Sequence, residues 1–134
     1  MREIKGSCLC GKIHFTVQDN FKKFFFCHCR QCRKMSGSAH AANLFATPSD
    51  LIFIKGEENT IRYQYPERFF TKVFCSTCGT GIPYISGNGT FLIVPAGTLD
   101  EEPTKVPDAQ IFCEEQTQWH RIGMQASQKM KYDE

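Results

Sequence analysis

The cysteines of this chain carry its clearest chemistry. Seven of the eight are grouped, as Cys8-x-Cys10, Cys27-x-Cys29-x-x-Cys32 and Cys75-x-x-Cys78. Zinc takes four ligands near tetrahedral geometry, and a C-x-C or C-x-x-C turn delivers two thiolates at once. The two pairs therefore complete one closed, structural site. The trio Cys27, Cys29 and Cys32 is left over as a second site with an open position, the arrangement that catalytic zinc uses. Both pairs run into glycine, at Gly11 and Gly79, which can adopt the positive φ that turns backbone N–H groups toward the sulfurs.

Other readings of the same cysteines rank lower. A single C-x-x-C also fits a redox dithiol, but three clusters do not. Joining the trio to a cysteine of another cluster would strand a thiol and leave the pairs unmatched. The trio could instead be closed by Cys113 or by a histidine. Cys113, in "AQIFCEE", reads as a strand residue and a small buried hydrophobe. His28 cannot easily bend back onto a metal held by its neighbours and is expected behind the ligands or at the surface. His40, eight residues beyond the trio, can approach it. His14 and His120 are expected at the surface or half-buried, and none of the four histidines has ligand-like spacing to another.

The elements that must position these groups are mostly strands. "GKIHFTV" alternates Ile13, Phe15 and Val17 against Lys12, His14 and Thr16, the period of a half-buried strand. "FKKFFF" leads a second strand into Cys27, and "RKMSGSA" offers about one helical turn before Gly37. "HAANLFA" and "LIFIKG" read as strands separated by the turn "TPSD". "TIRYQY" places Ile61, Tyr63 and Tyr65 on one face. "FFTKVF" enters Cys75 and "GIPYI" leaves Cys78, so that pair sits at the tip of a hairpin. "TFLIVPAGTL" and "AQIFCEE" add two more strands. The expected fold is mainly β with very little helix, in one domain over residues 1–134, with a polar tail from about residue 124 that frays or forms a short helix.

Composition bounds the function. Sixteen basic against 14 acidic residues leave a formal charge of +2, too small to argue for nucleic acid or an anionic membrane. No apolar run is long enough to span a membrane. The opening "MREIKGSCLCGK" has no apolar core of a secretory signal, so the expected location is the cytoplasm. Thiols there serve as metal ligands or catalysts more often than as disulfides.

The segments "GSCLCGKIHF", "CHCRQCRKMSGSA", "FCSTCGTGIPY" and "AGTLD", with Trp119, resemble the glutathione-dependent formaldehyde-activating enzyme (GFA) family, also called the CENP-V/GFA domain. The matches run in order over residues 6–119. The resemblance implies an Mss4-like zinc-containing β-sheet fold. It implies structural zinc on Cys8, Cys10, Cys75 and Cys78, and active-site zinc on Cys27, Cys29 and Cys32: two ions per chain, the second with room for partial occupancy. The implied activity is that of a carbon–sulfur lyase joining formaldehyde to glutathione as S-(hydroxymethyl)glutathione. Departures from the family pattern stand at Arg30, Lys72, Gln110 and Tyr65-Pro66-Glu67, around the expected pocket, and bear on the substrate more than on the metals.

Three thiolates on Zn²⁺ leave a unit of net charge −1. Such a centre suits binding a further thiol as thiolate, or polarising a small carbonyl with nearby donors. Arg30, Arg33 and Lys34 flank the trio and can supply the positive field that the carboxylates of a thiol such as glutathione require. Arg33 is the first of these expected to face substrate, and it joins Cys27, Cys29 and Cys32 as a candidate catalytic residue. The alternative function is a zinc-stabilised, Mss4-like binding module without catalysis, which would present a closed or empty trio and a large exposed apolar patch.

Overall fold

The computed structural model describes residues 1–67 and 70–132. Phe69, which opens "FFTKVF", and Asp133 and Glu134 of the tail lie outside the described residues. Strands dominate. In chain order they are β1 (Glu3–Ser7), β2 (His14–Gln18), β3 (Lys23–Cys27), β4 (Ala41–Ala46), β5 (Leu51–Lys55), β6 (Thr60–Gln64), β7 (Thr71–Cys75), β8 (Gly81–Ile82), β9 (Tyr84–Ile85), β10 (Leu92–Pro95) and β11 (Ala109–Ile111). Two short helices join them, α1 (Arg30–Ser36) and α2 (Gln118–Gly123).

Three sheets result, in the orders β1-β2-β5, β11-β3-β4-β10-β9 and β6-β7-β8. All pairings are antiparallel except β11 on β3. One core joins them. Ile4, Ile13, Phe15 and Val17 come from the first sheet and its approach, Phe24, Leu44, Leu92 and Val94 from the second, and Val73 and Ile82 from the third. The alternation in β2 places Phe15 and Val17 inside, yet Thr16 is buried as well, because β2 is the central strand of its sheet.

The structure departs from the sequence reading at several elements. β1 was not among the expected strands, although Ile4 is buried between exposed Glu3 and Lys5. The helix after the trio begins earlier than "RKMSGSA", at Arg30, because Cys29 caps it, and Gly37 closes it at φ 65°. "GIPYI" is two strands in two sheets: Pro83, which has no N–H to give to a ladder, stands between β8 and β9. Cys113 is not a buried strand residue. β11 stops at Ile111, Phe112 adopts φ 55°, and Cys113 is exposed in a 3-10 turn. The left-handed residue turns the chain away from the sheet before Cys113 can be covered. "TIRYQY" does put Ile61 and Tyr63 on one face, but that face is exposed. The tail forms no helix among its described residues; the last helix is α2, which precedes it.

Gly6 is a point of close approach. It pairs with Phe15 across β1 and β2, and a Cβ there would lie 2.1 Å from the Phe15 ring. Gly6→Ala should therefore lower stability by about 1–3 kcal/mol, the usual range for overpacking a filled core. Urea unfolding monitored by circular dichroism measures it, and an unchanged midpoint would show that the ring yields freely.

Candidate metal centres and the adjoining cleft

Two sulfur clusters form, and they divide the seven grouped cysteines as ligand counting predicts. Cys8, Cys10, Cys75 and Cys78 bring their sulfurs within 4.8 Å of one another, and Cys27, Cys29 and Cys32 do the same separately. All eight cysteines are free thiols.

The first cluster is made by two turns of the same kind. Gly11 and Gly79 both take φ 80°, and the β7–β8 hairpin closes through Cys75 N–H to the Thr80 carbonyl at 2.9 Å. Backbone donors then point inward: Ile13 N–H lies 3.3 Å from the Cys8 sulfur and Thr77 N–H 3.4 Å from that of Cys75. The Asn59 amide adds a donor to Cys75 at 3.4 Å. The Thr80 hydroxyl, 3.2 Å from Cys78, holds that thiol down at about 5. Sulfur–sulfur distances of 3.6 Å (Cys8–Cys10) and 3.8 Å (Cys10–Cys75) suit one tetrahedral ion, for which a Zn–S bond of about 2.3 Å implies edges of about 3.8 Å. The donor set fits zinc.

The trio sits where β3 passes into α1. Cys27 ends the strand, Cys29 is the N-cap whose sulfur accepts from Cys32 N–H at 3.3 Å, and Cys32 lies in the first turn of the helix. Cys27 and Cys32 are buried and Cys29 partly so. The Cys32 thiol donates to the Cys27 sulfur. That contact lowers the pKa of Cys27 and, joined by burial, raises that of Cys32 well beyond the ordinary thiol range. Two sulfurs contending for one proton are a site that a divalent cation relieves, since thiolate is the ligand form.

His28, between the ligands, is fully buried. Its Nε2 is 2.9 Å from the Gln110 side-chain oxygen on β11, which ties the cysteine-bearing loop to the neighbouring strand. Its Nδ1 has no hydrogen-bond partner. The sequence shows no spacing that links the histidines, but the fold gathers His28, His40 and His120 with ring centroids 5.0–5.6 Å apart. Burial lowers the pKa of His40. His14 stands apart from this group, on β2.

A cleft of about 310 Å³ opens beside Cys32, between α1, β4, β7 and the Pro95–Thr98 turn. Cys32, Met35, His40, Asn43, Lys72 and Tyr84 are among its walls. A smaller one of about 160 Å³ adjoins it, where Cys32, Asn43 and Tyr84 recur and Cys27 joins them. Tyr84 and Asn43 were not singled out from sequence; a tyrosine in a short strand carries no local mark of a site. Burial, aided by the Cys32 sulfur, pushes the Tyr84 phenol up to about 12, so it stays an O–H donor at neutral pH.

The flanking cations separate. Arg33 donates to the Glu115 carbonyl at 3.4 Å and is not among the lining residues of either cleft. Arg30 and Lys34 are exposed, and the Arg30 backbone N–H bonds the Glu115 carboxylate at 3.1 Å. Lys72 alone reaches into the larger cleft, and Gln110 lies behind the trio on His28. Tyr65 stands beyond β6, its N–H on the Phe70 carbonyl at 2.8 Å.

This combination of closed and open cysteine clusters on a mainly β fold defines a class, and comparison with known proteins identifies it. The chain belongs to the glutathione-dependent formaldehyde-activating enzyme family, whose profile matches residues 3–115. A Halomonas elongata protein that provisionally carries the same family name is 27% identical over 126 residues, covering 89% of this chain and 80% of its own length. A Schizosaccharomyces pombe protein named an uncharacterized lyase is 32% identical over 90 residues, covering 66% of this chain and 62% of its own. A crystal structure of a Rhodobacter sphaeroides protein superposes with a TM-score of 0.62 at 29% identity, covering 78% of this chain and 98% of that one. Family and relatives together support a lyase-type, formaldehyde-activating function. No helix among the described residues is long and apolar enough to cross a membrane.

The Thr80 hydroxyl gives the first cluster a test. Removing one outer hydrogen bond to a metal ligand typically weakens affinity about 10–100-fold. Thr80→Val should therefore weaken zinc retention by at least about tenfold in competition with a chromogenic chelator, while the trio's share of the metal is unchanged.

Proposed function

We propose that this protein is a zinc-dependent carbon–sulfur lyase-type enzyme that forms and cleaves the bond between a thiol and formaldehyde. Glutathione is the thiol that the family's name supplies. The observation that carries the reading is the trio: three cysteine sulfurs converge and one of them, Cys32, lines a cleft, while the other four grouped cysteines form a separate four-sulfur cluster. Cys27, Cys29 and Cys32 would hold the active-site zinc, and Cys8, Cys10, Cys75 and Cys78 the structural one. A zinc ion on three thiolates supplies a positive charge that lowers the pKa of a thiol or steadies a developing alkoxide.

The remaining work falls to the chain. In the forward direction the thiolate sulfur attacks the formaldehyde carbon, the C–S bond forms, and the carbonyl π electrons move to oxygen, which must take up a proton. Tyr84 is the donor beside Cys32 that keeps its proton at neutral pH. Its Oη can hydrogen-bond the oxygen as charge develops, the kind of contact that favours the transition state over the ground state. The buried walls of the cleft, Val73 and Ile82, limit water around the reacting atoms. Arg33, one residue beyond the last ligand, adds positive charge along α1 while fixing the 113–115 turn. The eight free thiols suit a reducing compartment, so we assign the protein to the cytoplasm.

Two measurements test this. Metal analysis of the purified chain should find two zinc ions, and Cys32→Ser should retain one and lose turnover of formaldehyde with glutathione. If both ions and full turnover survive, the active-site assignment fails. Tyr84→Phe should keep both ions and reduce kcat by about 10²–10³, the usual loss of one preorganised donor.

A further inference from the structure

We infer that Lys72 is a specificity residue of this cleft, which takes a compact thiol bearing one carboxylate close to its sulfur. The inference rests on the reading above and concerns which thiol is used.

Lys72 lies on β7, half-buried, and its Nζ donates to the Met35 carbonyl at 2.7 Å. Met35 is in the last turn of α1, three residues after Cys32. Three residues rise about 4.5 Å along the helix and the carbonyl points on toward its C-terminus, so the ammonium is held beyond the end of α1 opposite Cys32, and both side chains line the same cleft. One of its three protons serves the carbonyl; the other two remain for a ligand. Gly81 lies beside it, where even a Cβ would stand 3.4 Å from Nζ, an ordinary contact.

Lys72 has no carboxylate partner. Among the described residues no Asp or Glu lines the cleft, and none of the ion pairs involves Lys72. An ammonium in a cleft with protons to spare and no carboxylate beside it suits the carboxylate of a ligand. A thiol with its sulfur at the trio and a carboxylate two methylene groups away would reach along the cleft from Cys32 toward Lys72. Glutathione matches less well. Its amino group would find no carboxylate among the lining residues, and the cleft, at about 310 Å³, is at the small end of ligand sites. The γ-glutamyl end would have to remain outside.

The experiment uses the zinc-loaded full chain and compares kcat/KM for formaldehyde with 3-mercaptopropionate, its neutral amide, thiocholine and glutathione. The carboxylate should be favoured over the amide by about tenfold or more, the discrimination a charge-assisted hydrogen bond provides. Glutathione should do no better than 3-mercaptopropionate. Lys72→Arg should keep the carboxylate-to-amide ratio, Lys72→Met should bring it close to one, and Lys72→Glu should turn preference toward thiocholine. Because each ratio is taken within one variant, partial loss of folded enzyme cancels. A ratio near one in the wild type, a ratio unchanged in Lys72→Met, or a tenfold preference for glutathione overturns the inference. Lys72 would then only cap α1. Absence of turnover with every thiol would instead overturn the enzymatic reading itself.

Discussion

The four-sulfur cluster is the constraint on which the rest of the structure depends. It joins Cys10 to Cys75 across 65 residues, and so ties the turn between β1 and β2 to the tip of the β7–β8 hairpin. Closing a loop of that length opposes folding, though the cost grows only slowly with length. The core that would repay it is modest, since its fully buried members are a few residues from each of three sheets. Structural zinc in small domains contributes about 10–16 kcal/mol on binding, as much as the whole stability of a typical domain. Metal capture at this cluster would therefore be inseparable from folding. It also orients β7, and with it the wall of the cleft that carries Lys72 and Val73.

The opposite wall depends on a different device. At the trio, one residue does two jobs: Cys29 is both a sulfur donor and the N-cap of α1. The first N–H groups of a helix lack partners within it, and a thiolate there gains from both the free donors and the positive end of the helix. The last turn of the same helix carries Met35, whose carbonyl takes Lys72. One short helix thus has a sulfur cluster at its start and an ammonium at its end, and the cleft runs along it. His28 and Gln110 fasten the start of this helix to β11, so the trio is supported from the strand side as well.

The sulfur partition was legible in the sequence because metal ligation is local. Two cysteines on one turn are forced together by two or three residues of chain, and only the pairing of turns is left to the fold. Strands with clear alternation, such as β2 and β4, were legible for the same reason. What was not legible depends on residues distant in sequence. His28, His40 and His120 show no mutual spacing, yet β3, β4 and α2 bring their rings together. Arg33 looked like the substrate-facing cation because it follows a ligand, but helix rotation directs it to Glu115. Lys72 stood out only as a departure from the family pattern near the expected pocket; its hydrogen bond to the Met35 carbonyl shows where its charge goes. Cys113 was misplaced because the left-handed turn at Phe112 is a conformation rarely taken by an aromatic residue, and nothing in "QIFCEE" announces it.

Electrostatics connects the two walls. Three thiolates with one Zn²⁺ would carry net charge −1, so such a centre would repel an anionic substrate even as its thiol is drawn in. At a separation of about 5 Å and an effective dielectric near 20, that repulsion is about 3 kcal/mol, enough to discourage any carboxylate placed next to the sulfur. A cation at a similar distance offsets a term of the same size. A lysine held by a helix-end carbonyl meets this need without neutralising the thiolates, because Lys72 faces the carbonyl oxygen and the cleft, with no acidic side chain lining it among the described residues. The arginines beside the trio are engaged elsewhere, the Arg30 N–H and the Arg33 guanidinium both bonding Glu115. With the cation at the far end of α1 from the trio, recognition of a carboxylate would be separate from activation of a thiol, and one small cleft could do both.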